Sequence, residues 1–117
     1  MSFKLQHREE KGIVILTPQG QLNASEVVSF KKEIAPFLQK EGADVIVDCS
    51  ALEFVDSTGL GALIALLRKL EAKGGKLFFV GLGPEVASIF EITRLHKLFQ
   101  IYPTLQIALE KILVSKT

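Results

Sequence analysis

Apolar and polar residues alternate with a period of two in Phe3-Lys4-Leu5-Gln6-His7, and Gly12-Ile13-Val14-Ile15-Leu16-Thr17 follows after the charged Arg8-Glu9-Glu10-Lys11. A period of two sends successive side chains to opposite faces of a strand. The two stretches therefore predict a hairpin, its first strand half exposed and its second more buried. Pro18-Gln19-Gly20 predicts a bend, after which Gln21-Leu22 resume a short extended piece. From there the period lengthens. Val27, Val28, Phe30, Ile34 and Leu38 fall at helical spacing, and Asn23-Ala24-Ser25-Glu26 has capping-box spacing with Asn as the cap. Pro36 lies inside this pattern. It has no N–H, and its ring crowds the preceding turn, so a kink or break is expected near Ile34-Ala35.

After Glu41-Gly42, the run Asp44-Val45-Ile46-Val47-Asp48-Cys49 is β-branched and too apolar to face water on either side, which predicts a central strand. Ser50-Ala51-Leu52-Glu53-Phe54-Val55 reads as a loop. A second helix is expected from Asp56-Ser57 to about Lys73, stopped by Gly74-Gly75. Lys76-Leu77-Phe78-Phe79-Val80-Gly81 is another buried strand, and Pro84 suits the first position of a third helix reaching Phe90 or Ile92. Phe99-Gln100-Ile101-Tyr102 predicts a short last strand. After Pro103-Thr104 a closing helix places Leu105, Ala108, Leu109, Ile112 and Leu113 on one face. The order β, β, α, β, α, β, α, β, α contains strand–helix–strand crossovers. The expected fold is α/β, a mixed, mostly parallel sheet packed with about four α-helices and edged by the antiparallel hairpin.

The chain of 117 residues is long enough for one domain that buries about two-thirds of its unfolded surface without staples. Its 14 basic and 13 acidic residues are spread along the sequence and leave a net charge of +1. No basic stripe of the kind that grips a phosphate backbone results, so nucleic acid is not an expected partner. Cys49 is the only cysteine, which excludes an intrachain disulfide, and its apolar strand predicts a buried structural thiol. Met1-Ser2-Phe3-Lys4-Leu5-Gln6-His7-Arg8 has no apolar core of signal-peptide length. The longest uncharged apolar run, Gly59 to Leu67, is about half of what a membrane span needs. The expected location is the cytoplasm, with no membrane partner.

Chemistry concentrates where the polar Asp56-Ser57-Thr58 meets that apolar run. Ser57 is expected at the N-cap, where a serine oxygen accepts from a backbone N–H one turn on. A helix N-terminus carries about half a positive charge and unpaired N–H groups, so it can also carry a phosphate. Gly59 and Gly61 fall in the first turns, where each costs about 0.5–1 kcal/mol relative to Ala. Both are expected to keep the helix surface low for close approach, by a neighbouring strand or by another protein.

Asp56-Ser57-Thr58-Gly59-Leu60-Gly61 resembles the phosphorylation-site motif of the bacterial anti-sigma factor antagonists, the STAS domain family, and the element order fits that family over essentially the whole chain, 1–117, as one domain. The resemblance implies that the serine directly after Asp56 is phosphorylated by an anti-sigma factor that is itself a serine kinase, and that the unphosphorylated protein sequesters that factor and so releases a sigma factor. It also implies that Asn23, Asp56, Ser57, Thr58, Gly59, Leu60 and Gly61 lie at the partner surface. In the family Gly20-Gln21-Leu22-Asn23 usually ends in Asp; the Asn here can still cap a helix but carries no charge.

Other motifs carry less. Gly81-Leu82-Gly83-Pro84-Glu85-Val86 follows a strand and opens a helix, but it lacks the third glycine of a dinucleotide fingerprint, and Pro84 removes an N–H that a pyrophosphate would use. His7 and His96 have no cysteine or carboxylate at metal-ligand spacing. A hydrolase would need Ser57 as nucleophile, His96 or His7 as base and Asp56 or Asp48 as orienter, yet the surroundings of Ser57 are not Gly-x-Ser-x-Gly. Asp48 and Asp56 read as turn and cap residues. The expectation is a non-enzymatic binding protein without cofactor or metal. The alternatives are a STAS adaptor in a lipid-transport or signalling assembly, where Ser57 is not a switch, and the small hydrolase.

Overall fold

Ile13, Val14, Ile15 and Leu16 are all buried, and the strand they open is the one on which the sheet is assembled. The computed structural model describes residues 3–115. Met1 and Ser2, at the head of the stretch read above for a signal peptide, lie outside them. β1 (Lys4–Glu10) and β2 (Ile13–Leu22) pair antiparallel from Glu10 opposite Ile13 to Lys4 opposite Gln19. Their two-residue turn holds both Lys11 (φ 52°) and Gly12 (φ 83°) left-handed, as a hairpin turn matched to strand twist requires.

β3 (Asp44–Asp48) lies parallel to the first half of β2, β5 (Lys76–Val80) parallel to β3, and β6 (Gln100–Tyr102) parallel to β5. The sheet order is β1-β2-β3-β5-β6. Strands this apolar must be covered on both faces, and the helices do so unequally. α1 (Val27–Ile34), α2 (Ser57–Ala72) and α3 (Pro84–Ile92) share a core with Val14, Leu16, Val45, Val47, Leu77 and Phe79. α4 (Leu105–Ser115) covers the opposite face, where Ala108 and Ile112 meet Ile13, Ile15, Ile46, Phe78 and Val80. Five buried leucines of α2 (Leu60, Leu63, Leu66, Leu67 and Leu70) contribute on the order of 1.5–3 kcal/mol each. That anchors the helix whose first turn carries Ser57. The rings of Phe79, Phe90 and Phe99, 4.5 to 5.5 Å apart, tie β5, α3 and the approach to β6 together.

The mixed, mostly parallel sheet and the four helices agree with the fold expected from the pattern, and three local details differ. The segment read as a loop at 50–55 contains a strand, β4 (Leu52–Val55), which runs parallel to the far end of β2 with Gly20 opposite Leu52 and Leu22 opposite Val55. Pro18 does not interrupt β2, because it falls between the stretch paired with β3, ending at Leu16, and the stretch paired with β4, beginning at Gly20. The bend survives as a register shift between Gly20 and Gln21. The capping box does not form: the Asn23 carbonyl accepts from the amides of Glu26 and Val27 (2.9 and 3.0 Å), its side chain accepts from the Ser25 amide (3.0 Å), and α1 starts only at Val27. Pro36 ends α1 as expected, and the chain continues as a 3₁₀ turn, Ala35–Leu38.

Candidate functional site

β4 is what fixes the position of Ser57. Val55 pairs with Leu22, and the next residue, Asp56, donates its amide to the Leu22 carbonyl at 3.2 Å. Asp56 is extended (φ −91°, ψ −175°), so the chain leaves the sheet there and turns directly into α2. The N-cap is Asp56, not Ser57. One carboxylate oxygen of Asp56, Oδ1, accepts from the Gly59 amide at 2.8 Å and from the Thr58 hydroxyl at 2.6 Å. The other, Oδ2, accepts from the Ala24 amide at 3.1 Å, across 32 residues of chain. Ser57 is thereby pushed to the first helical position, where its exposed hydroxyl stands outside the cap network.

These donors shape the electrostatics. The Thr58 hydroxyl first, and then the Gly59 amide, stabilise the ionised carboxyl of Asp56 and hold it below the usual carboxylate range, with the Ala24 amide adding to them. The helix end facing Ser57 therefore already has its anion. At Cys49, burial pushes the thiol well above its ordinary range, and the neighbouring Asp48 adds to the rise. Asp48 is a turn residue, accepting from the Ser50 amide at 3.1 Å.

The two glycines play different parts. A Cβ on Gly59 would overlap the Leu22 carbonyl oxygen and come within 2.7 Å of Val55 Cγ1, whereas a Cβ on Gly61 would meet nothing within 4 Å. Gly59 is thus the point where α2 touches the β2–β4 pair, and Gly61 is open surface. Leu60 belongs to the core. Of the residues singled out in the sequence, Asn23, Asp56, Ser57, Thr58 and Gly61 keep some exposure, while Gly59 and Leu60 are turned inward. Ser57 and Gly61, four apart, share one face of α2. Sequence reasoning missed Ala24, whose amide is the long-range partner of Asp56. A backbone donor leaves no side-chain signal to read.

The histidines sit elsewhere: His7 packs against Phe37, with ring centroids 4.8 Å apart, and His96 Nδ1 is 3.3 Å from the Phe90 carbonyl oxygen. Among the described residues no group of three or more His, Cys, Asp or Glu could hold a metal ion, and no helix is long and apolar enough to cross a membrane.

The chain is similar, over most of its length, to proteins named as anti-sigma factor antagonists. A Thermotoga neapolitana protein named as a candidate anti-sigma factor antagonist is 32% identical over 101 residues, covering 86% of this chain and 89% of its own. The anti-sigma-B factor antagonist of Listeria monocytogenes is 27% identical over 101 residues, covering 86% and 88%. The crystal structure of an anti-sigma factor antagonist from Mycobacterium paratuberculosis superposes with a TM-score of 0.85 at 27% identity, over 94% of this chain and 93% of that one. These names belong to regulators, and the chain is, like them, a regulatory protein and not an enzyme. The STAS domain pattern matches residues 4–108, and the chain belongs to the STAS domain family.

Proposed function

We infer that this protein is an anti-sigma factor antagonist: it binds an anti-sigma factor that is itself a serine kinase, and phosphorylation of Ser57 decides whether it can. The observation that carries this reading is the exposed Ser57 hydroxyl on the first turn of α2, beside a Thr58 hydroxyl already committed to Asp56. The names of the relatives support the class of partner. Asn23, Asp56, Thr58 and Gly61 complete the surface around the serine.

Magnitudes favour a switch of binding over a switch of folding. A phosphate on Ser57 brings about −1.5 to −2 charges. In the free protein these stay in water at a helix N-terminus, an interaction of roughly 0.3–1 kcal/mol at an exposed site. Because the Asp56 carboxylate already occupies the Gly59 amide, the phosphate is the second anion there and gains less. The fold therefore tolerates modification. In a complex the same group must be desolvated next to Asp56, which costs several kcal/mol unless a cation receives it. The interface term is the larger, so the unphosphorylated form binds and the phosphorylated form does not.

The test is to incubate the protein with ATP and the serine-kinase anti-sigma factor of its own genome, locate the phosphate by mass spectrometry, and titrate both forms calorimetrically. The expected result is one phosphate on Ser57 and loss of binding. Equal affinity of the two forms would remove the switch and leave the fold assignment untouched.

A further inference from the structure

Asp56 does more than cap α2. The Asn23–Glu26 turn is closed on itself by its own bonds, the Asn23 carbonyl taking the Glu26 and Val27 amides and the Asn23 side chain taking the Ser25 amide. What fastens this turn to α2 is the bond from the Ala24 amide to Asp56 Oδ2. The same carboxylate holds the first turn of α2 through Oδ1. One side chain therefore sets the position of two surface segments that are remote in sequence and flank Ser57. We propose that Asp56 is a positioning residue for partner recognition, a clasp that presents the Asn23–Glu26 turn and the Ser57 hydroxyl to the kinase as one rigid surface. This rests on the phosphorylation reading above.

The geometry offers a substitution on each side of the clasp. Asp56→Asn retains one acceptor oxygen, enough to cap Gly59, and asparagine is as good an N-cap as aspartate. It replaces the second oxygen with an NH₂ group that cannot accept from Ala24. Ala24→Pro removes the donor without touching α2. Ala24 is the second residue of the turn closed by the Asn23 carbonyl and the Glu26 amide, a position proline favours.

Hydrogen exchange and Ser57 phosphorylation kinetics, measured with the same kinase and ATP, test the proposal. In Asp56→Asn the Ala24 amide is expected to exchange roughly tenfold faster, the scale of one hydrogen bond to a charged group, while amides in the middle of α2 keep their protection. Both variants are expected to raise KM for the protein substrate by a similar factor with kcat little changed. The double variant should be no worse than either single one, since both break the same bond. Wild-type KM in Ala24→Pro would overturn the proposal and leave the switch standing. If Asp56→Asn also frays α2, Ala24→Pro decides alone, because the cap is intact there. If the kinase leaves the wild-type protein unmodified, the switch reading fails and the clasp's role in recognition falls with it.

Discussion

Gly59 and Leu22 touch through backbone alone: no room is left for even one methyl group between the first turn of α2 and the Leu22 carbonyl at the end of β2. Because Asp56 also donates to that carbonyl, the oxygen is the fixed point from which the orientation of Ser57 is set.

Gly59→Ala is accordingly expected to destabilise the protein by about 1–3 kcal/mol, the usual cost of overpacking. Gly61→Ala should stabilise it by about 0.5–1 kcal/mol, because the site is open and alanine favours helix. Urea unfolding of the two variants checks both signs. A larger residue separates fold from interface. Gly61→Leu should keep or slightly raise the melting temperature and lose affinity for the anti-sigma factor, and full affinity would remove Gly61 from the partner surface.

Acid should loosen the cap before it unfolds the core. The carboxyl of Asp56 ionises more readily in the folded protein than in the unfolded chain. Its contribution is therefore complete above the ordinary carboxylate range and is lost only as pH falls below that range. Amide exchange followed from neutral pH downwards is expected to show Ala24 and Gly59 losing protection at a pH where Leu63 and Leu66 amides remain protected. Simultaneous loss at all four would mean that the carboxylate is not what holds the loop.

The Cys49 thiol should be inert while the protein is folded. It is buried, and the neutral form is favoured by desolvation and by Asp48, so little thiolate is available to react. A thiol reagent at pH 8 is expected to label the protein only in urea, at the rate of unfolding. Rapid labelling of native protein would show an opening at the C-terminal end of β3.

Ser57 variants should change affinity and not stability, since the hydroxyl takes no part in the cap. Ser57→Ala is expected to bind the anti-sigma factor constitutively. Ser57→Asp should bind more weakly, because it adds one negative charge beside Asp56 where phosphate adds nearly two. Calorimetry of the three proteins at one ionic strength orders them. A loss of esterase or phosphoesterase turnover in Ser57→Ala and His96→Ala would instead revive the hydrolase.

What was legible in the sequence is what depends on near neighbours. Alternation in β1, the continuous β-branched run of β3 and the continuous apolar run of β5, Pro84 at the head of α3 and the one-faced apolar stripe of α4 each report a local period or a local steric rule, and the elements stand where those rules place them. The order of elements then restricts the sheet to a mostly parallel one, because right-handed crossovers leave few other arrangements. The Asp56–Gly61 motif marked the candidate site for the same reason, as six consecutive residues.

Three features were decided only by the tertiary structure. β4 has the burial pattern in, out, out, in, which is no strand period, and it is extended because the end of β2 offers it a partner. Aspartate and serine are equally good caps, so Asp56-Ser57 is ambiguous until the pairing of Val55 with Leu22 determines where the chain leaves the sheet. Gly59 and Gly61 lie in an unbroken apolar run that erases the helical period, and two residues apart they point about 200° away from each other. Which of them meets the sheet is a property of how α2 is laid on β2 and β4, and a one-dimensional pattern does not contain that rotation.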